Sequence, residues 1–433
     1  MRKIKVILIG AGDRGTGYTR QALLMPENYE IVAVAEPIKA RRDLIASLAG
    51  LPADCCFESW EPLLTREKFA DACLICTMDR EHFAPTMAAI GRGYDIMLEK
   101  PIAPTPEECV AITRAAEEKG VQVLICHVLR FTPFYGRLKQ LILSGVLGDV
   151  QAITQRENVG LIHQSHSFVR GNWGNESRSS PMLLQKSCHD IDIIQWLMDK
   201  KIKAVQSFGS LEYFTAAHAP AGAPERCLSG CPVADSCPFN AKTLYFDHKN
   251  DLWFRRACTK GIAHNAENPS DEDVLQALQT TNYGRCVFRC DNDVVDRQVV
   301  NLEFDDNAVC SFTMTAFTGG RGGREIRIHG TKGSLSASMS DTEIAFTDFA
   351  TDETTMIPVS GGTGDNTIVG GHGGGDQGIM HTFCRLVDRT CNDVSVAPIR
   401  VSCENHMAVF AAEESRKTNR VVDVREYAAR YGL

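Results

Sequence analysis

The chain has 433 residues, 44% of them hydrophobic and 23% charged, which is typical of a globular protein with a sizeable core in two or three domains. Its formal net charge of -8 argues against non-specific binding to nucleic acid or anionic membranes, because both partners reward a basic surface. No apolar run is long enough to span a membrane, and the run before the first glycine is too short for a signal-peptide core, so we expect a cytoplasmic protein.

The first predicted strand ends in a glycine-rich turn. "KIKVILIG" is a nearly continuous apolar run, which is typical of a strand buried on both faces of a parallel sheet. The following "GAGDRG" places Gly10, Gly12 and Gly15 in the spacing of a dinucleotide-binding loop, with Asp13 and Arg14 between them. We therefore expect these five residues to contact a dinucleotide.

An acidic residue follows the second predicted strand. "IVAVA" (31–35) comes at the distance expected for a βαβ unit and leads directly to Glu36. A carboxylate at this position accepts hydrogen bonds from ribose hydroxyls and repels a 2′-phosphate. The sequence therefore predicts NAD as the cofactor in preference to NADP, even though Arg41 and Arg42 follow closely.

Strands and helices continue to alternate up to residue 127. "DACLICT", "YDIMLEKP" and "VQVLICHV" predict further strands, so the fold class is α/β, with a doubly wound parallel sheet over residues 1–127. Ligands of such sheets bind at the carboxyl ends of the strands. The polar residues expected at those ends are Thr77, His82, Glu99 and Lys100 for the cofactor, with His127 as a supporting residue.

Three motifs carry a resemblance to a known family. "EKP" at 99–101, after a strand of a dinucleotide-binding domain, resembles the signature of the glucose–fructose oxidoreductase, inositol dehydrogenase and MocA family. "LRFTPFYGRLKQLILSGVLGDVQ" (129–151), with an Arg-aromatic pair at Arg130, resembles the entry to that family's second domain. "SCHDIDIIQWL" (187–197) is similar to its catalytic helix. The resemblance covers most of the chain outside about 212–292.

The resemblance implies the rest of the architecture and the catalytic residues. Residues 128–433 would form an α+β domain with a large open, mostly antiparallel sheet, through which homodimers or homotetramers assemble. Lys100 and His189 would be catalytic, with Asp192 in support. These residue types suit the oxidation of a secondary alcohol, because a near-neutral base must take the hydroxyl proton while an ammonium stabilises the developing alkoxide.

The catalytic helix departs from the family pattern before its histidine. Family members commonly place an aspartate four residues before it, whereas this chain has Gln185 there and Lys186 beside it. Gln185 can hydrogen-bond the His189 ring but cannot stabilise an imidazolium by charge. Whether Lys100, Lys186 or His189 takes the proton therefore stays open.

Two other polar stretches are candidates for ligand contact. In "HQSHSFVRGNWGN" (163–175), Trp173 could stack on a sugar, with His166 and Arg170 donating hydrogen bonds; the alternative is an irregular loop anchored by the tryptophan. The glycine-rich segment 361–378 predicts a loop over the active site or a simple connector.

The insertion at about 212–292 is rich in cysteine. Seventeen cysteines cannot all pair, and clustered ones in a reducing compartment point to a metal. Few apolar runs occur in the insertion, so we expect it to need a structural metal rather than a core of its own. Zinc is preferred to an iron–sulfur cluster, with reduced unliganded cysteines as the alternative. The predicted ligands are Cys227, Cys231, Cys237 and Cys286, the last preferred over Cys290 and Cys258.

Together these features predict an NAD-dependent oxidoreductase that acts on a secondary hydroxyl of a sugar, cyclitol or sugar derivative, with no nucleic-acid or membrane partner. One alternative is a glycoside-cleaving enzyme that uses NAD transiently, oxidising the ring so that the aglycone is eliminated. A second alternative is a non-catalytic nucleotide-sensing protein.

Overall fold

The computed structural model describes residues 2–247, 252–319, 322–359 and 372–433. Most of the glycine-rich segment 361–378 lies outside these residues, so its predicted role as a loop stays a prediction. None of the helices in the described part of the chain combines the length and apolar composition that a bilayer-spanning segment requires.

A six-stranded parallel sheet forms the N-terminal layer, as predicted. Its strands are β1 (Ile4–Ile9), β2 (Tyr29–Ala35), β3 (Cys56–Phe57), β4 (Ala72–Ile75), β5 (Asp95–Leu98) and β6 (Val123–Ile125). The strand order is β3-β2-β1-β4-β5-β6. The order in which successive strands are added therefore reverses between β1 and β4, although all strands remain parallel. Strands β4 and β5 are buried along their whole length, because helices cover both faces of the sheet. The crevice at the reversal is where ligands of doubly wound sheets bind.

A nine-stranded sheet forms the second layer, and the prediction of a large, mostly antiparallel sheet is confirmed. Its strands are β7 (Val150–Asn158), β8 (Ile202–Ser210), β9 (Arg297–Phe304), β10 (Val309–Thr315), β11 (Gly323–Gly330), β12 (Gly333–Ser338), β13 (Glu343–Asp348), β14 (Thr354–Pro358) and β15 (Val422–Asp423). The order is β14-β13-β12-β11-β7-β10-β9-β8-β15, and only the β7–β10 pair is parallel. Strand β7 alternates buried and exposed residues, which is expected of a sheet with one solvent-facing side.

Helices connect and cover the two sheets. They are α1 (Asp13–Leu23), α2 (Lys39–Ala49), α3 (Trp60–Thr65), α4 (Phe83–Gly91), α5 (Pro106–Lys119), α6 (Pro133–Leu143), α7 (Leu161–His163), α8 (Met182–Gln185), α9 (Cys188–Met198), α10 (Leu252–Cys258), α11 (Asp271–Thr280), α12 (Gly375–Val387), α13 (Ile399–Thr418) and α14 (Val424–Ala429). A π-helix, Gln164–Arg170, continues directly from α7. Helix α12 returns from the second layer and packs Ile379, Met380 and Phe383 into the core on the β1 side of the parallel sheet.

The insertion has a hydrophobic core of its own, so the expectation that it lacks one is wrong. A cluster of seven buried residues spans its π-helical and helical segments: Ala241, Leu244, Tyr245, Cys258, Val274, Ala277 and Leu278. These residues are scattered among polar ones rather than grouped in runs, because each short helix contributes at most three of them. The cluster therefore stabilises the insertion independently of any metal.

Candidate active site

The glycine-rich turn after β1 is closely packed at its two ends and open in the middle. Gly10 has a φ of 86°, and a Cβ atom there would lie 2.6 Å from the carbonyl oxygen of Cys76. A Cβ atom on Gly15 would lie 2.1 Å from the carbonyl oxygen of Gly10. At Gly12, by contrast, a Cβ atom would meet no described atom within 4 Å. The backbone is therefore accessible at the point where a dinucleotide pyrophosphate approaches the N-terminus of α1.

Glu36 borders this turn at the end of β2. Its carboxylate accepts hydrogen bonds from the backbone nitrogens of Ala11 (2.7 Å) and Ile38 (2.9 Å). The nearby cation Arg42 instead donates to the backbone oxygen of Glu36 (2.5 Å) and to the carboxylate of Glu58 (3.0 Å). The negative charge thus faces the turn while Arg42 is engaged elsewhere, an arrangement that suits NAD better than NADP.

Arg14 links the glycine-rich turn to two other parts of the chain. Its guanidinium donates to Glu99 (2.7 Å) and makes a bidentate pair with Asp376 in α12 (2.8 Å for each bond). The Tyr18 hydroxyl also donates to Glu99 (2.9 Å). Burial alone would raise the pKa of Glu99, but the charges of Arg14 and Lys100 outweigh it and hold the pKa below its usual value. Asp376, 362 residues from Arg14, gives no local signal in the sequence.

His82 braces the segment that presents Lys100. Its Nδ1 lies 2.7 Å from the carbonyl oxygen of Pro101, and its Nε2 lies 3.1 Å from that of Thr77. Thr77 follows β4 and Pro101 follows β5, so the ring joins the ends of two adjacent strands. In this structure His82 positions the strand ends. The predicted cofactor contacts of Thr77 and His82 stay predictions.

Lys100 and His189 lie near each other at the junction of the two layers. The Lys100 ammonium donates to the carbonyl oxygen of Gln185, at the end of α8, and His189 is the second residue of α9. Burial, followed by the charge of Lys100, holds the pKa of His189 well below its ordinary value. The imidazole is therefore neutral at physiological pH and can accept a proton.

The side chain of Gln185 does not hydrogen-bond the His189 ring, so that interpretation of the sequence is wrong. Its amide nitrogen donates to the backbone oxygens of Trp173 and Ser180 (2.9 Å each), and its amide oxygen accepts from Ser179 (3.3 Å). Gln185 therefore holds the chain segment before α8. The His189 Nδ1 atom is buried without a hydrogen-bond partner among the described residues.

A group of charged residues surrounds Lys186. Its ammonium lies 3.1 Å from a carboxylate oxygen of Glu157, which also pairs with Arg324 (2.9 Å). Arg324 in turn pairs with buried Asp190 (2.8 Å). Burial would raise the pKa of Glu157, but Arg324 and Lys186 outweigh it and lower that pKa. Lys186 is thus engaged in an ion pair with Glu157, whereas His189 Nδ1 has no hydrogen-bond partner among the described residues.

His163 belongs to this group, and the sequence pointed to other members of its stretch instead. Its pKa is lowered to about 3, by burial first and then by the charge of Lys186. The residue is only partly buried, and its ring lies near those of Phe168 and Trp253. A motif with several histidines gives no sequence signal that distinguishes the one at the site from those that pack elsewhere.

His166 and Arg170 are fully engaged with the insertion, which contradicts their predicted role as sugar donors. His166 Nδ1 lies 2.9 Å from the Tyr245 hydroxyl, and its ring lies among the aromatic side chains of the insertion. Arg170 donates to the backbone oxygens of Phe239 (2.7 Å) and Arg285 (2.8 Å). Both side chains are buried and anchor the insertion. Trp173 is half-buried and packs its ring near Phe168.

A second polar cluster lies behind His189. Asp192 accepts two hydrogen bonds from Arg130 (2.7 Å each) and one from Asn405 (2.6 Å), and all three residues are buried. The His127 ring lies 6.1 Å from that of His189, between centroids, and burial lowers its pKa to about 4. Asp192, Arg130 and His127 thus support α9 from inside the protein rather than from the ligand side.

The predicted metal ligands share a cavity but do not form a ready-made site. Cys227, Cys231, Cys237 and Cys286 all line one small cavity, with Arg170 at its wall. Burial raises the pKa of the Cys237 and Cys286 thiols. Across the described ranges, no group of three or more His, Cys, Asp or Glu side chains is placed to hold a metal ion. The arrangement of side chains therefore does not support the zinc prediction by itself.

Comparison with known proteins identifies the family of the chain. The NAD-binding Rossmann-fold model of an oxidoreductase family matches residues 4–127, and the C-terminal alpha/beta domain model of the same family matches 139–369. The putative oxidoreductase YteT of Bacillus subtilis is 24% identical over 314 residues, 71% of this chain and 70% of that protein. Inositol 2-dehydrogenase 4 of Saccharopolyspora erythraea is 28% identical over 47% of this chain, a match that spans only 56% of the relative.

A solved structure shares the fold over nearly the whole chain. Levoglucosan dehydrogenase, in complex with NADH and L-sorbose, superimposes with a TM-score of 0.70 at 19% identity and covers 98% of this chain and 99% of its own. The two family models together match well over half of the chain. The chain therefore belongs to the glucose–fructose oxidoreductase, inositol dehydrogenase and MocA family of NAD-binding oxidoreductases.

Proposed function

We propose that the protein oxidises a secondary hydroxyl of a sugar, cyclitol or sugar derivative with NAD. The observation that carries the proposal is the placement of the Lys100 ammonium, held by the backbone oxygen of Gln185, near enough to the buried His189 for its charge to lower the pKa of that imidazole. When bound, NAD supplies the hydride acceptor. The open backbone at Gly12 and the carboxylate of Glu36 fit its pyrophosphate and its adenosine ribose.

Two side chains of this chain perform the proton transfer and the charge stabilisation that the reaction requires. His189 Nε2 or Nδ1 takes the hydroxyl proton, and the Lys100 ammonium stabilises the negative charge that develops on the oxygen. Gln185 holds that ammonium through its backbone oxygen, so the charge is fixed in place before the substrate arrives. Removing either catalytic side chain should cost about 100-fold to 10,000-fold in turnover.

The charged group beside Lys100 supports a polyhydroxylated substrate. Lys186, Arg324 and His163 line one polar region with the carboxylate of Glu157, which offers both donors and acceptors to hydroxyl groups. An apolar alcohol would displace water from these ion-paired groups without replacing its hydrogen bonds, at a cost of about 1–3 kcal/mol for each donor or acceptor left unsatisfied. The site therefore favours sugars or cyclitols.

The experiment mixes the protein with NAD and separate panels of free sugars, cyclitols and aryl glycosides, recording NADH and released phenol together. NADH that accumulates with a free sugar or cyclitol supports the dehydrogenase. The Lys100→Ala and His189→Ala variants should lose activity, while Lys203→Ala, which removes an exposed lysine paired with Glu303, should retain it. Full activity in Lys100→Ala would contradict the assignment.

The same experiment separates the two alternatives. Phenol released without NADH indicates glycoside cleavage, in which the cofactor is reduced and reoxidised on each turnover. Neither product on any panel, together with NADH binding in a separate fluorescence titration, indicates the nucleotide-sensing alternative.

We also propose that the four-cysteine cavity holds a structural zinc ion when the metal is available. Support comes from the convergence of four thiols from two separate segments of the chain on one cavity. Four protein thiolates would leave no open position for substrate, so the ion would stabilise rather than catalyse.

Metal analysis of protein purified without chelators tests the zinc proposal. We expect about one zinc per chain, lost in Cys231→Ser but retained in Cys391→Ser, a cysteine outside the cavity. Iron with acid-labile sulfide would replace the zinc assignment with an iron–sulfur cluster. Less than a tenth of an equivalent of both metals would refute the metal site.

A further inference from the structure

The insertion contacts helix α1 at both of its ends. Lys260, just after α10, places its ammonium 3.3 Å from the Asp13 carboxylate, and Asp13 is the first residue of α1. At the other end of the helix, Arg20 forms an ion pair with Glu267 of the insertion. A segment that interrupts the second layer thus reaches the helix whose N-terminus faces the cofactor.

Asp13 creates an electrostatic conflict that Lys260 resolves. The carboxylate follows Gly12 directly, where the pyrophosphate of a dinucleotide approaches the helix. The charge of Lys260 is the largest influence on Asp13 and lowers its pKa, so Asp13 is ionised at neutral pH. An uncompensated carboxylate here would repel the cofactor's two phosphate charges.

The Lys260 ammonium also keeps donors to offer. An ammonium has three N–H groups, and the Asp13 carboxylate occupies one direction only. About a quarter of the Lys260 side chain, 24%, remains exposed, so the group is held by its partner without being sealed from solvent.

We propose that Lys260 is a cofactor-binding residue which the insertion supplies to the glycine-rich turn, where it neutralises Asp13 and donates to the pyrophosphate of NAD. The proposal rests on the proposed function, since it assumes that NAD binds at this turn. It gives the insertion a role in cofactor affinity, separate from any metal that its cysteines bind.

Equilibrium binding of NADH, followed by its fluorescence, tests the proposal without requiring a substrate. We expect Lys260→Ala to weaken NADH binding about tenfold or more, the loss typical of one charge-assisted hydrogen bond. ADP-ribose retains the pyrophosphate but lacks nicotinamide. It should compete with NADH for binding, and its affinity should fall by the same factor in Lys260→Ala. Lys242→Ala, which removes another lysine of the insertion whose partner is Asp247, should bind as wild type does.

Two further variants distinguish ligand binding from tethering. Arg20→Ala removes the other ion pair between α1 and the insertion but lies away from the pyrophosphate, so its NADH affinity should not change. Asp13→Asn removes the carboxylate, and adding Lys260→Ala to it should still weaken binding, because the lysine donates to the phosphate itself.

The inference is overturned if Lys260→Ala binds NADH within twofold of wild type, if Arg20→Ala weakens binding equally, or if the double variant recovers wild-type affinity. Failure of the proposed function looks different: wild-type protein would then bind neither NADH nor ADP-ribose, or would bind NADH without turning over any substrate, and in the second case the effect of Lys260→Ala on NADH affinity would still test the inference. Circular dichroism of each variant checks that the fold is intact.

Discussion

His189 is a base that burial keeps unprotonated well below the ordinary histidine range. Desolvation penalises its charged form, and the ammonium of Lys100 adds to the penalty, so both lower its pKa. A base is active when deprotonated, so the rate should fall only as pH drops through this lowered pKa. We expect the acid limb of kcat/KM for alcohol oxidation to lie below pH 6.5.

The measurement is a pH profile of kcat/KM with NAD saturating, compared with Lys100→Gln if that variant retains measurable activity. Removing the ammonium should move the acid limb of the variant to higher pH, because the charge of Lys100 no longer lowers the pKa of His189. An acid limb at or above pH 6.5 in the wild type, or no shift in the variant, would contradict the assignment of His189.

For single residues, the sequence predicts which residue types lie at the ends of strands and helices better than it predicts their hydrogen-bond partners. Glu36, Lys100 and His189 follow strands or open a helix, and local patterns locate such positions. The engagement of Gln185 with Trp173 and Ser180 depends on how the chain folds back before α8, which no spacing encodes. His166 and His163 differ only in the tertiary contacts that bury one and leave the other accessible.

At the scale of elements, α12 is joined to the cofactor turn by a buried ion pair. Asp376, in its first turn, makes two hydrogen bonds to Arg14, and its pKa is lowered because the charge of Arg14 outweighs burial. Removing one partner of a buried pair leaves the other charge poorly compensated. We expect Asp376→Asn to lower the free energy of unfolding by about 3 kcal/mol.

Chemical denaturation of Asp376→Asn and Asp43→Asn provides the comparison. Asp43 pairs with Lys39 on the exposed side of α2, so its removal should change stability by about 0.5 kcal/mol or less. Equal effects of the two substitutions would show that the Arg14–Asp376 pair does not hold α12 in place.

The helices and strands differ in how well the sequence predicts them. Apolar runs ending in glycine or polar residues predict the parallel strands, because a strand covered on both faces must be apolar throughout. The core of the insertion cannot be predicted in this way, because Leu244, Cys258 and Leu278 come from three separate short helices and meet only in the folded chain. Contacts between α12 and the parallel sheet are equally long-range.

At the scale of the whole molecule, one face of the nine-stranded sheet remains exposed. Thr154 and Arg156 of β7 and Arg327 and His329 of β11 point to this face. Assembly of homodimers or homotetramers through this exposed face stays a prediction. The domain boundary at residue 127 also stays a prediction. We expect light scattering to give two or four times the chain mass of 47.6 kDa.

A variant with Arg327→Glu and Thr154→Glu should dissociate the assembly, because it places four or more like charges across a symmetric interface. Lys39→Glu, on a helix of the other layer, is the control and should leave the mass unchanged. A wild-type mass of 47.6 kDa at micromolar concentration would contradict assembly through the sheet.

Transfer of hydride from a substrate carbon to NAD is the step that defines the proposed reaction, and isotope labelling detects it directly. The protein is incubated with NAD and myo-inositol, D-glucose or phenyl glucoside, each deuterated at its ring carbons, then denatured, and the nicotinamide is examined by mass spectrometry. We expect one deuterium in the cofactor with at least one probe, and labelling that is slower by about 100-fold or more in the His189→Ala variant. A cofactor that binds to the wild-type protein yet stays unlabelled with every probe would contradict it.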